Sequence, residues 1–260
     1  MKVVILCGGS GIRLRDSLEF IPKAMVKIGH RPMLWHVMKI YAKYGFTDFV
    51  LALGSGSHQI KDYFMNYDVN VNDVTIKLGQ KDYVSRSEHQ EKDWKITFVD
   101  TGDHAGTGAR ISRCQDYLAE DDFLVAYSDC LADVNILKLL DDHKKSGKIA
   151  TVTGVMPRFR YGEFIVNDGE AVKWNEISNL KSRGGWVNGG FMAFNKKIFK
   201  YLAPFNECVL EKEIYAKLAA DKQIHVYQHE GFWQELDNDR EYNFLRDLCE
   251  KNSEFWLFDK

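Results

Sequence analysis

Three glycines in four residues, Gly8, Gly9 and Gly11, stand directly behind an apolar run, and Arg13 follows closely. Glycine lets the backbone approach a ligand closely and take positive φ. A row of free N–H groups in such a turn cradles phosphate oxygens, and a guanidinium adds a forked cation for them. Lys23, in Ile21-Pro22-Lys23-Ala24-Met25, supplies a second cation able to fold back over the same loop. Farther along, the string from Phe123 to Asp129 sets an acid at the C-terminal end of an apolar strand. The string from Gly231 to Asp237 ends on another, just before a helical pattern. Either acid alone is compatible with a turn or a helix cap. Brought together, two such carboxylates are the hard oxygen donors that Mg²⁺ takes beside phosphate oxygens.

Two familiar phosphate loops are excluded. The dinucleotide pattern G-x-G-x-x-G fits Gly9 and Gly11, but Leu14 stands at the third glycine, so an NAD-binding reading fails. The string G-x-x-x-x-G-K-[ST] does not occur. A plain tight turn after the first strand is the structural alternative for the glycines alone.

These residues need a scaffold that brings strand ends together. Lys2 to Cys7 is a short continuous apolar run, which reads as a strand buried on both faces. Met33 to Tyr44 has apolar residues at helical spacing, and Phe49 to Leu53 is a second buried strand. Ile96–Val99 and Phe123–Ala126 predict further strands, with a helix of about a dozen residues between them. Val134 to Lys145 reads as helix, Ile149 to Val155 as β-rich, and the Asp168-Gly169 pair as a hairpin turn. Phe191 to Phe194 is a strand, as is Ile224 to Tyr227, which lies between helices over Leu210–Ala220 and Arg240–Lys251. The alternation predicts an α/β fold: a doubly wound, mostly parallel sheet flanked by helices, Rossmann-like, with a smaller β-rich acceptor-binding region. No repeat or linker interrupts the chain, which predicts a single domain over 1–260. Residues 1–150 would be mainly the nucleotide half. Residues 151–260 would be mainly the acceptor half, returning Asp237 to the metal site.

Bulk properties agree. The 260 residues carry a formal net charge of -2, without the basic excess that nucleic-acid binding needs. Five cysteines, an odd number without a C-x-x-C pair, predict buried free thiols in a reducing cytoplasm. No apolar stretch reaches membrane-spanning length and no signal-peptide pattern opens the chain. The aromatic residues, Trp35, Trp233 and Trp256 among them, read as core or subunit contact. The apolar Phe255-Trp256-Leu257-Phe258 would dock on its own core or on another subunit, and a homo-oligomer is expected.

The glycine loop through Leu14, followed by Pro22-Lys23-Ala24-Met25 at the matching spacing, resembles the signature of sugar-1-phosphate nucleotidyltransferases. The resemblance implies that Leu6, Gly8, Gly9 and Gly11 wrap the nucleotide, and that Arg13 and Lys23 act on its phosphates. It also implies that Asp129 and Asp237 ligate Mg²⁺ as cofactor. Ile12 departs from the family's usual Thr, and Ser128 from its usual Gly.

Val99-Asp100-Thr101-Gly102 and Gly106-Thr107-Gly108-Ala109-Arg110 read first as a polar turn with Thr107 as N-cap. They also resemble the cytidylyltransferase branch, where such strings belong to the nucleotide pocket. Thr107 and Arg110 are then pocket candidates, and CTP is the expected nucleotide. The likeness to glucose-1-phosphate cytidylyltransferases continues through Leu34-Trp35-His36, Asn188-Gly189-Gly190-Phe191 and Gly231-Phe232-Trp233-Gln234.

On the acceptor side the likeness breaks. The family's Glu-Lys-Pro string is Glu176-Ile177-Ser178 here, and an isoleucine cannot pair with a phosphate. Lys181 or Arg183 could stand in, and Arg158 and Arg160 could hold a carboxylate, though a solvated charged loop is the simpler account of that segment. Glu176 and Asn188 are acceptor-side candidates. The lost lysine favours a non-sugar phosphorylated acceptor such as L-glutamine phosphate, as in a branch resembling capsular polysaccharide modification enzymes. Glucose 1-phosphate is the alternative. A catalytically inactive nucleotide-sensing domain is the rival of another class, and retention of both acids and both cations argues against it.

Overall fold

The computed structural model describes residues 1–9, 21–77, 83–85, 89–156, 163–167, 170–175, 185–251 and 256. Its centre is a seven-stranded sheet. The strands are β1 (Val3–Leu6), β2 (Asp48–Leu53), β3 (Lys95–Asp100), β4 (Asp122–Tyr127), β5 (Ala150–Val155), β6 (Val187–Asn195) and β7 (Ile224–His229). They lie in the order β7-β5-β6-β4-β1-β2-β3. β1 pairs in parallel with both β2 and β4, β2 with β3, and β5 with β7. Only β6 runs antiparallel to its neighbours β4 and β5. The sheet is thus mixed and mostly parallel, as expected.

The sequence explains why these runs become strands. In β1, Val3 and Ile5 enter one apolar cluster and Val4 and Leu6 the other. The same two-residue alternation splits Phe49 and Leu51 from Val50 and Ala52, and Leu124 and Ala126 from Phe123 and Val125. A strand apolar on both faces is stable only between two layers of helices. On one face lie α1 (Met33–Ala42), α2 (Ser57–Met65), α4 (Ile136–Ser146) and α6 (Asp239–Glu250), giving Met33, Val37, Ile60, Leu139 and Leu245 to the core. On the other lie α3 (Thr107–Arg113) and α5 (Tyr215–Ala220), giving Ala109, Ile111 and Leu218. Each such fully buried side chain contributes roughly 1.5–3 kcal/mol over an exposed one.

The predicted strands and most predicted helices form within a few residues of the expected bounds. Glu163–Asn167 pairs antiparallel with Glu170–Asn175, as a hairpin centred on Asp168-Gly169 requires. All five cysteines are buried and free. Among the described residues no helix is long and apolar enough to cross a membrane. Trp256 packs into the core against Phe232, ring centroids 5.7 Å apart, so this residue of the C-terminal apolar run docks on its own chain.

Three expectations need correction. The helix between β3 and β4 is α3 alone, seven residues, followed by a 3₁₀ turn over Gln115–Tyr117. Its end tightens into i→i+3 bonds, Cys114 N to Ile111 O and Tyr117 N to Cys114 O, while Gly106 N and Ala109 N at its start bond to Asn206 O and Cys208 O. The Leu210–Ala220 helix opens with a π turn over Leu210–Ile214 before becoming α. Finally, Thr107 is not an N-cap. Gly106 holds that position without a side-chain cap bond, and the Thr107 hydroxyl turns to the 206–211 segment instead.

Candidate active site

The C-terminal ends of β1, β2, β3 and β4 fall on one edge of the sheet because all four run parallel. From β1 the chain steps outward through β2 to β3, then returns to the far side of β1 as β4. That reversal opens a crevice between β1 and β4, the usual place for a ligand in an open α/β sheet. A cavity of about 360 Å³ lies there, within the range of small-molecule sites. Leu6, Gly8, Gly9, Lys23, Thr107, Arg110 and Asp129, all expected in the site, line it. Ala105, Gly106, Tyr127, Ser128 and Val209 complete much of the wall.

Arg110 organises the floor. Its Nη1 donates to Leu53 O at 3.0 Å, Thr101 Oγ1 at 2.7 Å and Gly102 O at 2.9 Å. Its Nη2 donates to Gly8 O at 2.6 Å and Asp103 O at 3.2 Å. One guanidinium therefore gathers the loops behind β1, β2 and β3. The side chain is 2% exposed, and burial pulls its pKa below the usual arginine value, although a guanidinium stays charged in proteins.

This explains Gly8 differently from the expectation. Neither Gly8 nor Gly9 has positive φ. A Cβ on Gly8 would instead sit 2.0 Å from Arg110 Cζ, so only glycine lets the guanidinium pass beneath the loop. Among the described residues a Cβ on Gly9 would meet nothing within 4 Å. Gly8 is required by the protein's own packing, whereas space remains open at Gly9. Gly11 and Arg13 lie outside the described residues.

The acids meet at Lys23. Asp129 is delivered by β4, two residues past Tyr127. Asp237 arrives from the far end of the chain, where Trp233–Glu235 pairs antiparallel with Cys130–Ala132 and Leu236 N donates to Asp129 O at 2.8 Å. Asp237 N in turn donates to Glu241 Oε2 at 2.7 Å, and Asn238 caps α6 through bonds from Arg240 N and Glu241 N. Lys23 Nζ stands 2.5 Å from Asp237 Oδ1 and 3.5 Å from Asp129 Oδ2.

The charges are unequal in environment. Burial raises the Asp129 pKa, with Lys23 and the Cys130 thiol pulling against it. For Lys23, burial lowers the pKa, but the hydrogen bond to Asp237 and the charges of Asp129 and Asp237 outweigh it, and the net shift is upward. Two carboxylates thus stand around one ammonium. Asp129 lines the cavity and Asp237 stands beside it on the neighbouring segment, and such hard oxygen donors suit a divalent cation completed by water and phosphate oxygens. Among the described residues no group of three or more His, Cys, Asp or Glu is placed to hold a metal.

Asn188 does not line the cavity but touches its wall, donating to the Tyr127 hydroxyl at 3.1 Å. It also contacts the Tyr215 hydroxyl at 3.4 Å. Thr107 donates to Glu211 Oε2 at 2.8 Å and accepts from Leu210 N at 2.9 Å. The sequence reading missed Tyr127 and Val209. Tyr127 carried a signal, its place at the end of a buried strand. Val209 carried none, because the Asn206–Leu210 segment reaches the site only by packing on α3. Arg158, Arg160, Glu176, Lys181 and Arg183 lie outside the described residues.

Comparison with known proteins shows the family of the chain. The nucleotidyl transferase family profile matches residues 2–239. The chain is 36% identical over 258 residues to the probable glucose-1-phosphate cytidylyltransferase of Bacillus subtilis, covering 98% of this chain and 99% of that protein. It is 37% identical over 257 residues to the glucose-1-phosphate cytidylyltransferase of Salmonella typhimurium, covering 98% of both. A putative glucose-1-phosphate thymidylyltransferase from Bacillus anthracis superposes with a TM-score of 0.69 at 16% identity, over 95% of this chain and 94% of the other. That likeness concerns the fold alone.

Proposed function

This chain belongs to the nucleotidyl transferase family, and we propose that it is a magnesium-dependent cytidylyltransferase. It would transfer CMP from CTP to glucose 1-phosphate and release pyrophosphate. The observation that carries this reading is the convergence of Asp129 and Asp237 on Lys23, beside a cavity floored by Gly8 and Arg110. The choice of nucleotide and acceptor follows the names of the two relatives that match along the whole chain.

In the reaction, an acceptor phosphate oxygen attacks the α-phosphorus of CTP in line. The new P–O bond forms as the bond to the β-phosphate oxygen breaks. The acceptor is already an anion, so no proton has to be removed and no general base is needed. Positioning and charge neutralisation then carry the rate. Asp129 and Asp237 would hold the ion, with Lys23 released from them to meet the phosphates, and Arg13 acting beside it. Bound Mg²⁺ supplies charge neutralisation on the α-phosphate and the leaving group. Gly9 leaves the loop open to the nucleotide. Thr107 and Arg110 shape the nucleotide side, while Asn188, through Tyr127, shapes the acceptor side.

The non-sugar acceptor, L-glutamine phosphate, is the second reading. Its ground is Ile177 in place of the expected lysine, and the relatives favour the sugar. Pyrophosphate release from CTP and Mg²⁺, with glucose 1-phosphate or L-glutamine phosphate in parallel, separates the two. Release with glucose 1-phosphate is expected. Release with the amino-acid phosphate alone would make the second reading the correct one. CTP binding without release in either case would overturn both.

A further inference from the structure

We infer that Asp133 and His229 form a latch that sets where Asp237 stands, and so govern how tightly the site holds its divalent cation. The inference rests on the proposed role of Asp237 as a metal acid.

The two acids reach the site by unequal routes. Asp129 follows β4, a central strand hydrogen-bonded on both sides. Asp237 follows β7, the strand at the edge of the sheet, and the chain must turn back across β5 and β6 to arrive. The turn that begins this return is residues 229–233, and Asp133 closes it. Asp133 Oδ1 accepts from Phe232 N at 2.7 Å and lies 3.0 Å from His229 Nε2. Asp133 N donates to Phe232 O at 3.2 Å. Phe232 O is also 3.1 Å from His229 Nε2.

Both atoms facing His229 Nε2 are acceptors, the carboxylate and the carbonyl. That nitrogen therefore carries a hydrogen and shares it between them. Gly231 confirms how closely the latch is drawn: a Cβ there would sit 2.2 Å from Asp133 Oδ1 and 2.7 Å from His229 Cε1. Immediately beyond, Trp233 Nε1 donates to Gly189 O at 2.8 Å, and Trp233–Glu235 takes its register on Cys130–Ala132. The latch thus fixes the start of the short strand whose far end presents Asp237. His229 is 9% exposed, and neither latch residue lines the cavity. They are positioning residues, acting through the register of Trp233–Glu235. Partners that bond a metal ligand directly change affinity or activity by about 10- to 100-fold when removed, and a latch one step farther out is expected at the lower end of that range.

The test uses the full chain and Mn²⁺ as probe, with free ion counted by electron paramagnetic resonance, beside the Mg²⁺ dependence of pyrophosphate release. His229→Leu is expected to weaken Mn²⁺ binding about 10-fold, with turnover recovering at saturating metal. His229→Gln, whose amide N–H can reach the same two oxygens, should remain within about threefold of wild type on this account. Asp133→Asn keeps an acceptor for Phe232 N but loses the charge, and should shift metal affinity in the same direction by less. It also serves if His229→Leu does not fold. Unchanged metal affinity in a folded His229→Leu or, failing that, in Asp133→Asn would overturn the latch. Asp237→Asn, measured alongside, should lose both metal binding and turnover. If it keeps them, the reading of Asp237 itself falls, whatever the latch variants do.

Discussion

The loops gathered by Arg110 and the acids gathered by Lys23 share one edge of the sheet, and they are assembled in opposite ways. Arg110 faces neutral acceptors: the carbonyls of Gly8, Leu53, Gly102 and Asp103 and the Thr101 hydroxyl. Those bonds lie within the protein, and Gly8 is packed against the guanidinium with no room for a Cβ. Lys23 faces two carboxylates. Asp237 is 54% exposed, and burial raises the pKa of Asp129. A cation with satisfied neutral partners makes a scaffold. Two carboxylates brought to one point, one of them half exposed, make a place where another cation gains by binding. The cysteines follow the scaffold side: burial pushes the Cys114 thiol up to about 12, so it stays protonated at neutral pH.

Breaking the charged side should have the largest effect. Asp129→Asn is expected to lower turnover about 10³-fold, on the order of 4 kcal/mol in the barrier. It should leave thermal stability unchanged or slightly higher. The sign follows from the raised pKa of Asp129: the folded state favours the protonated form, so that contribution is present below the free aspartate value and lost as pH rises through the folded one. A neutral amide escapes the loss. Pyrophosphate release and a thermal melt, read together, check both halves.

Breaking the neutral side should act on stability first. Arg110→Ala leaves several buried acceptors unpaired and is expected to cost about 3–4 kcal/mol in urea unfolding. If it unfolds at the wild-type midpoint while turnover falls, Arg110 belongs with the ligand rather than the scaffold, and the contrast fails.

The two glycines sharpen the comparison within one loop. Gly8→Ala drives a Cβ into the guanidinium and should destabilise by about 1–3 kcal/mol, whereas Gly9→Ala should stay within about 0.5 kcal/mol. Gly9→Ala should instead raise the KM for CTP, because its Cβ enters the open space of the cavity. Equal melting temperatures for the two variants would contradict the packing account.

The smallest effect is the pH dependence of Lys23. Its folded pKa lies above the ordinary 10.5, so its contribution is complete below that value and is lost as pH rises through the folded one. Wild type should therefore lose stability relative to Lys23→Met only in alkaline urea titrations. A difference that grows toward neutral pH would contradict the sign.

Much of the fold was legible because burial on both faces writes itself as unbroken apolar runs. Lys2–Cys7, Phe49–Leu53 and Phe123–Ala126 could be read as core strands without knowing their neighbours. The glycine loop, Lys23, Asp129 and Asp237 stood out by residue type and by their place at strand ends, and their expected roles came from the resemblance to the family. Less visible was the short α3. Its first turn is capped by Asn206–Leu210, which lies about a hundred residues away in sequence and has no pattern announcing the contact.

By itself the chain determined its alternation of strands and helices, the phosphate-suited loop and the identity of the charged residues, because local spacing and side-chain chemistry are properties of neighbours in sequence. Only the tertiary structure decided what those residues face. It turned Arg110 inward onto four carbonyls and a hydroxyl, and made Gly8 a packing requirement. It carried Asp237 back from an edge strand to stand with Asp129 around one ammonium. Those outcomes depend on contacts between segments far apart in the chain, where the partner, not the residue type, sets whether a charge is a strut or a site.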